Sequence, residues 1–347
     1  MRRHTTILAS LAALAASTLL TGMAQAQEVT LTLHHLLSPK SNAHANMLEP
    51  WAKKIEEASN GRIKIEIYPS MSLGGTPPQL VRQAADGVVD IVWTVNGYTP
   101  GLFPRSEVFE LPTVFTGDTA ATNLAMREMF DEYLAADYKG LHVLWNHVHS
   151  GNALHTADKK VHSPADTKGL KLRVPGATAN TVVEAMGATP VTMPVPDLPQ
   201  SLATGVVDGA LIPYEIIPPL QLQDVTKYQI EGPDNERFGG TVFQVSMNQD
   251  RWDSLPDDLK QVFIDNTGDD WLVEVGRVWD AEDERAIKMA VESGNERIIL
   301  TPEEMAAFNE VLAPTVDLWI EAHPDIDARA LVDKARETIA KHANGKS

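Results

Sequence analysis

Val29-Thr-Leu-Thr-Leu-His-His35, Ile63-Lys-Ile-Glu-Ile-Tyr68 and Asp90-Ile-Val-Trp-Thr-Val95 are the three segments that decide the predicted fold. The first two alternate apolar and polar side chains, as strands with one buried face do, and the third is a short apolar run. Between them, residues 41–59 and 77–86 carry apolar side chains at helical spacing. Strands that alternate with helices predict parallel βαβ units and an α/β protein.

The same alternation returns further along the chain. Residues 141–147, 170–174 and 207–212 have the pattern of strands, and residues 177–186 and 196–204 have the pattern of helices. Two α/β halves in one chain predict a cleft between them, and such clefts are common sites for small molecules.

The last third of the chain has a helical pattern. Residues 256–293 form a nearly continuous helical segment that is interrupted only by Gly268 and Gly276. A helix of that length can pack against both halves of the protein. Residues 302–322 and 328–343 predict two further helices.

Residues 1–26 have the features of an export signal. Arg2 and Arg3 give a basic start, residues 7–20 form a short apolar run, and Ala24-Gln-Ala26 is a small-x-small cleavage pattern. The apolar run is shorter than the roughly 20 residues that cross a bilayer. We therefore expect a periplasmic protein that is cleaved after Ala26, rather than one anchored by its leader.

The composition argues against several classes of function. The chain has no Cys, which removes disulfides, thiolate nucleophiles and thiolate metal sites. It has 47 Asp and Glu against 29 Lys and Arg, a formal net charge of -18, so a nucleic acid is not an expected partner. An anionic ligand is repelled by such a surface on average, and a site for one must be a local cationic pocket.

Sequence signatures of common enzymes and cofactor sites are absent. There is no G-x-G-x-x-G, G-x-x-x-x-G-K-[ST], G-x-S-x-G or H-E-x-x-H motif. The remaining enzyme hypothesis is a periplasmic enzyme that uses His147 and His149. These two could also bind a metal together with His155, but residues 142–157 contain no Asp or Glu to complete the ligand set. We expect no catalysis, no cofactor and no metal.

Arg173 is the residue best suited to bind an anion. It lies in Gly169-Leu-Lys-Leu-Arg-Val-Pro-Gly176, where strand alternation places Lys171 and Arg173 on one face and the apolar residues on the other. A guanidinium at the end of a strand can bind a carboxylate through two parallel hydrogen bonds. The alternative is a surface arginine paired with a nearby acid, and the pattern alone does not decide between the two.

Five groups of motifs are spread over nearly the whole chain after the leader. They are Gly61-Arg62 with Tyr68-Pro69 and Leu73-Gly74, Gly87-x-x-Asp90, Ser163-Pro-Ala-Asp-Thr-Lys-Gly-Leu-Lys-Leu-Arg-Val-Pro175, Gly187-Ala-Thr-Pro190, and Thr204-Gly-Val-Val-Asp-Gly209. In this combination the chain resembles the solute-binding proteins of TRAP transporters, of the dicarboxylate-binding (DctP) type. The resemblance implies an α/β, two-lobed periplasmic binding protein fold with mixed sheets, an interlobe cleft and a long helix that spans both lobes.

The resemblance also implies a function. Such a protein captures a small organic acid anion and delivers it to the membrane subunits of a TRAP transporter; presentation of the ligand to a sensory receptor is the alternative role. In the family, the ligand carboxylate pairs with the arginine that matches Arg173. We expect a monomer. The implied division is residues 27–150 with 239–278 as lobe I, 151–238 with 279–306 as lobe II, and 307–347 as C-terminal helices packed on the lobes.

Two departures from the family pattern bear on the ligand. An Asn that helps hold the carboxylate in many members is Ile212 here, and the second Arg of sialic-acid-binding members is Ala153. An apolar pocket with one cation favours a monocarboxylate with an apolar or aromatic portion. A C4-dicarboxylate or a small 2-oxo or 2-hydroxy acid is the alternative. The other ligand-binding candidates lie near segment ends that line the family's cleft: His35, Trp93, Asn96, Tyr98, Trp145, His149, Ile212, Tyr214 and Phe238.

Overall fold

The computed structural model describes residues 28–344, and the predicted export signal lies outside them. Two β-sheets form the centre of this part of the chain. Their strands are β1 (Val29–His35), β2 (Ile63–Tyr68), β3 (Ile91–Val95), β4 (Leu141–Val148), β5 (Ala153–Thr156), β6 (Lys171–Val174), β7 (Thr189–Thr192), β8 (Gly209–Ile212), β9 (Tyr228–Glu231), β10 (Val242–Asn248) and β11 (Glu296–Ile299).

Helices cover the faces of the sheets. Within residues 28–344, none of them is both long enough and apolar enough to cross a membrane. The α-helices are α1 (Glu49–Ala58), α2 (Leu80–Ala85), α3 (Thr119–Met129), α4 (Ala177–Ala185), α5 (Leu198–Ala203), α6 (Ile217–Leu220), α7 (Gln249–Asp253), α8 (Asp257–Asp265), α9 (Asp269–Glu292), α10 (Pro302–Leu312), α11 (Thr315–Ala322) and α12 (Ala328–Asn344).

The first sheet has the strand order β2-β1-β3-β10-β4. β1 is parallel to β2 and β3, as the βαβ pattern predicts, and β10 runs antiparallel to β3 and β4. The alternation of apolar and polar side chains in β1 agrees with their burial, because Leu31 and Leu33 are fully buried in the core. β3 is buried along its whole length, which explains its uninterrupted apolar run.

The second sheet has the order β11-β9-β5-β8-β6-β7. β5 is antiparallel to β8 and β9, whereas β6 is parallel to β7 and β8, so both sheets are mixed and that prediction is confirmed. The chain passes between the sheets through residues 149–152 and 232–241. These two crossings lie side by side, since the Asn152 amide donates to Gly239 O at 2.8 Å and the Phe238 amide donates to Asn152 O at 2.9 Å.

α9 connects the two halves, packing against β4 of the first sheet and β11 of the second. The predicted spanning helix therefore exists, and the interruption predicted at Gly268 is confirmed, because the helical segment over residues 256–293 is divided there into α8 and α9. α8 ends at Asp265, and Gly268 adopts an extended conformation and begins α9. Gly276 does not interrupt α9. A Cβ there would lie 2.9 Å from the Ala120 backbone of α3, so the glycine allows close contact between these helices.

Three further sequence predictions need correction. The helix predicted over residues 302–322 is two helices, because the chain turns at Ala313 and Pro314 between α10 and α11. The helix predicted over 41–59 begins with a π-helical segment, Ala43–Leu48, before α1. The strands β5, β9 and β10, which have antiparallel neighbours, and the edge strands β7 and β11 were not predicted. β10 matters most, since it lies inside the first sheet, between β3 and β4.

The contact at Gly276 gives a first prediction. Gly276→Ala should lower the free energy of unfolding by about 1–3 kcal/mol because the added methyl group overpacks the contact with Ala120, although Ala is the better helix former. Denaturant unfolding followed by circular dichroism measures the change. Glu284→Ala, at an exposed position of the same helix, is the control and should stay within about 0.5 kcal/mol of the parent. A Gly276→Ala protein that is as stable as the parent would contradict the close packing.

Candidate ligand-binding site

A narrow cavity lies between the two sheets. Tyr98, which follows β3 of the first sheet, and Arg173, in β6 of the second, both line it, together with residues of the two crossings. The cavity is narrow, with a volume of about 40 Å³. A narrow cavity of this kind suits a thin, flat ligand.

β6 carries Arg173 to this cavity. Leu172 and Val174 are fully buried on the opposite face of the strand, whereas the Arg173 side chain, in a residue only 3% exposed, reaches the cavity. Its Nε donates to Met193 O at 2.9 Å and its Nη2 donates to the Tyr98 hydroxyl at 3.2 Å. Burial lowers the pKa of Arg173 and nearby Tyr98 and Asp197 oppose that shift, but a guanidinium stays charged at any physiological pH.

The charge of Arg173 has no counter-ion within the described chain. Among residues 28–344, no carboxylate oxygen lies within 4.0 Å of its guanidinium. Arg237, the other buried arginine, contrasts with it, because it forms ion pairs with Glu231 and, at 2.8 Å, with Asp283. An unpaired buried charge is costly, which makes Arg173 the place where an anion is stabilised most.

An aromatic wall forms one side of the cavity. Trp93 of β3 and Phe243 of β10 both line it, and their rings stack with centroids 5.2 Å apart and planes within 5°. The Trp93 Nε1–H donates to His147 Nε2 at 2.9 Å, which holds the indole in place. The wall is therefore rigid and apolar, and it can accept a flat ring.

His149 presents a hydrogen-bond donor to the same cavity. The Gly151 amide donates to His149 Nδ1 at 2.9 Å, so in the neutral ring the proton is on Nε2. Burial lowers the pKa of His149 to about 3, which keeps the ring neutral at pH 7. Nε2 is buried and has no partner among the described residues, and it is free to donate to a ligand.

Ile212 and Ala153, the two positions that depart from the family pattern, are neighbours in the second sheet. Ala153 of β5 is paired directly with Ile212 of β8. Both are buried, and Ile212 lines the cavity. Together they make one apolar patch in place of two polar contacts.

Of the predicted ligand-binding residues, the structure brings Arg173, Trp93, Tyr98, His149 and Ile212 together at the cavity.

The structure does not place His35 or Asn96, two other predicted ligand-binding residues, in the cavity lining. The ring of His35 is hydrogen-bonded to that of His44 at 2.9 Å. The side-chain amide of Asn96 donates to Ser106 and Tyr138 in the interior of the first sheet's core. Both side chains face neighbouring helical segments instead of the space between the sheets.

Trp145, Tyr214 and Phe238 also lie outside the lining. Trp145 packs edge-on against Trp51 at 4.9 Å, and Phe238 belongs to the core of the second sheet. Tyr214 lies under the Arg237 guanidinium, 5.0 Å from its ring centroid. Trp145 lies within β4, Tyr214 follows β8 and Phe238 lies in the crossing between β9 and β10. All three side chains are buried in the core.

Sequence reasoning missed Phe243, Asn152 and Glu215 at the cavity. Phe243 was missed because β10 was not recognised, although Val242–Asn248 does alternate apolar and polar residues. Glu215 carried a usable signal. It is the only charged residue in the apolar run from 211 to 220, and an acid in such a run needs an explanation.

The histidines considered for metal binding have other roles. His147 Nε2 accepts from Trp93, and the ring stacks on Phe243 at 4.9 Å. The His155 ring packs edge-on against Tyr214 at 5.0 Å. In the part of the chain that the structure describes, no three His, Asp or Glu side chains are grouped so that they could hold a metal ion.

Two contacts join the sheets across the cavity. The Tyr98 hydroxyl, on the first sheet's side, accepts from Arg173 and, at 2.8 Å, from the Val195 amide on the second sheet's side. Beside it, Gly97 and Gly176 touch through their backbones. A Cβ added to Gly176 would lie 2.9 Å from Gly97 Cα. Only glycine permits this approach.

Two mixed α/β sheets joined by two crossings and a spanning helix, with an unpaired cation in the cleft, define a two-lobed solute-binding protein. Residues 33–322 match the family model described as bacterial extracellular solute-binding protein, family 7 (DctP), and the chain belongs to this family. It is a TRAP-type solute-binding protein and not an enzyme.

Among curated proteins, the chain is 26% identical to the C4-dicarboxylate-binding periplasmic protein DctP of Rhodobacter capsulatus, over 86% of this chain and 88% of that one. Two solved structures are similar over nearly their whole length. A TRAP solute-binding protein from a marine metagenome, specific for aromatic acid ligands and bound to 3-hydroxybenzoate, is 38% identical with a TM-score of 0.88, covering 91% of this chain and 99% of that one. A TRAP solute-binding protein of Rhodoferax ferrireducens T118, with copurified benzoate, is 37% identical with a TM-score of 0.89, covering 92% and 100%.

Proposed function

We propose that this protein captures an aromatic monocarboxylate between its lobes and delivers it to the membrane subunits of a TRAP transporter. The observation that carries the proposal is the buried guanidinium of Arg173, which has no counter-ion in the described chain and lies in a cavity with the Trp93–Phe243 wall. The marine metagenome and Rhodoferax proteins, which bind 3-hydroxybenzoate and benzoate, support this choice of ligand.

The carboxylate is anchored by two kinds of donor. Arg173 already uses Nε and Nη2 for neutral acceptors, and it offers charge and its remaining N–H groups to a carboxylate oxygen. His149 Nε2–H is the second donor, and Arg173 is close enough to contribute to the lowered pKa of His149. In the cavity a carboxylate replaces water around both groups, which strengthens the charge pair.

The apolar part of the ligand lies against Trp93 and Phe243. An aromatic ring is thin enough for the narrow slot and stacks on such a wall at little entropic cost. A C4-dicarboxylate is the weaker alternative because its second carboxylate needs a second cation. Arg237 is occupied by its own acids, and Ala153 and Ile212 are apolar. A small 2-oxo or 2-hydroxy acid leaves much of the aromatic wall uncovered.

Capture includes closure of the two lobes around the ligand. We place the hinge in the crossings 149–152 and 232–241 and within α9, and divide the lobes there. The ligand contacts both lobes and so binds the closed state more tightly. Gly97 and Gly176 allow the lobes to close fully, and the closed form is what the membrane subunits recognise. The protein acts as a periplasmic monomer, cleaved after Ala26.

A panel of ligands tests the proposal. Benzoate at a large excess should stabilise the purified protein against thermal unfolding, by about 2.7 kcal/mol when its concentration is 100 times its Kd. Succinate and sialic acid should leave the melting temperature nearly unchanged, because neither fits one cation and an apolar wall. Differential scanning fluorimetry measures this. Stabilisation by succinate but not by benzoate would contradict the proposal.

Substitutions in β6 test whether Arg173 anchors the carboxylate. Arg173→Ala should weaken benzoate binding by about 2–5 kcal/mol, since the ligand's charge is then buried without a partner. Isothermal titration calorimetry measures the affinity. Lys171→Ala is the matched control: it removes an exposed cation two residues away on the same strand and should bind like the parent. Equal affinity of the Arg173→Ala protein would remove this residue from the site.

Closure is tested at the glycine contact. Gly176→Ala should reduce benzoate affinity by about tenfold or more, because the new Cβ meets Gly97 and the strain is relieved only by opening the lobes. Gly97→Ala should have a smaller effect, since its Cβ would lie 3.3 Å from Gly176 Cα. Ala177→Ser, at an exposed neighbouring position, is the control. Unchanged affinity in both glycine variants would show that the contact is not part of the bound state.

A further inference from the structure

An acid lies in the ligand cavity without a partner. Glu215 is in the 3-10 helix Tyr214–Ile216, just beyond the end of β8, and it lines the cavity although the residue is only 3% exposed. Its Oε2 atom is buried and has no hydrogen-bond partner among the described residues. A buried polar atom left unpaired in a ligand site indicates a contact that the ligand completes.

The surroundings of Glu215 determine its protonation. Burial raises its pKa well above the usual value, and Asp283 and Glu282 of α9 raise it further. The buried guanidinium of Arg237 is paired with Glu231 and Asp283, so it is not free to neutralise Glu215. These surroundings favour the protonated form of Glu215, which has one O–H donor and one carbonyl acceptor.

Glu215 and Arg173 line the same cavity from different strands of the second sheet. Arg173 of β6 pairs with Ala210 of β8, whereas Glu215 lies past the end of β8. A ligand whose carboxylate is held by Arg173 can reach Glu215 with another polar group.

We propose that Glu215 is a specificity-determining residue that exchanges hydrogen bonds with a hydroxyl group on the ligand's ring, so that the preferred ligands are hydroxylated aromatic monocarboxylates. This inference rests on the proposed function of the site. A phenolic hydroxyl both donates and accepts, and so matches a neutral carboxylic acid in both senses. An unsubstituted ring leaves the acid buried and unpaired, and a site built to bind a hydroxyl discriminates against a ligand without one. A second carboxylate is disfavoured because the nearby charges are negative.

The test combines a change in the ligand with a change in the protein. Benzoate, 3-hydroxybenzoate and 4-hydroxybenzoate are titrated calorimetrically at pH 7.5 into the parent, Glu215→Gln and Glu215→Leu. In the parent, the tighter of the two hydroxybenzoates should bind about tenfold or more tighter than benzoate. Glu215→Gln, which is neutral and keeps a donor and an acceptor, should retain most of that preference. Glu215→Leu should abolish it, because the leucine side chain has neither a donor nor an acceptor for the hydroxyl.

Two results would overturn the inference. One is a parent protein that binds benzoate and both hydroxybenzoates equally well; this needs no variant and holds even if Glu215→Leu fails to fold. The other is an unchanged preference in a folded Glu215→Leu protein. Failure of the proposed function has a different signature, because then none of the three ligands binds the parent at all.

Discussion

A guanidinium buried without a counter-ion is the constraint on which the site depends. Moving a cation out of water costs several kcal/mol, and a protein usually offsets this by pairing the cation with an acid. Arg237 is paired in this way, whereas Arg173 has only a backbone carbonyl and a phenol as partners. Its charge is fully compensated only when an anion enters the cavity. The formal net charge of the chain is -18, which repels anions on average, so an anionic ligand depends on this local attraction.

The surroundings of Arg173 determine what the anion carries. Trp93 and Phe243 present a stacked aromatic wall, and Ile212 adds an apolar side chain to the same cavity. Under the proposed function, the anchor selects a carboxylate and the walls select an apolar ring. The proposal also couples binding to closure. Arg173 donates to the Tyr98 hydroxyl across the gap between the sheets, so the group proposed to hold the ligand also takes part in the contact between the lobes.

Part of the candidate site could be predicted from the sequence, because the relevant residues lie in recognisable strands. The alternation in residues 170–174 and the family motif around it predicted Arg173, and a position near a segment end that lines the family's cleft predicted Trp93. Phe243 could not be placed in the same way. β10 pairs with β3 and β4, which are distant in the chain, and such pairing depends on tertiary context more than on local preference.

The direction of a side chain near the end of a strand was the other feature that the sequence could not predict. Ile212 and Tyr214 are two residues apart, yet the first lines the cavity and the second lies under Arg237. The geometry of the intervening turn decides this, and the residue pattern does not encode it. Gly268 and Gly276 show the same limit, since one begins α9 and the other lies within it at a helix contact.

A crystal structure of the benzoate complex tests the central claim most directly. The account predicts a carboxylate oxygen at about 2.7–2.9 Å from a terminal nitrogen of Arg173, with the ring against Trp93. A carboxylate bound elsewhere, with Arg173 still contacting only Met193 and Tyr98, would contradict it.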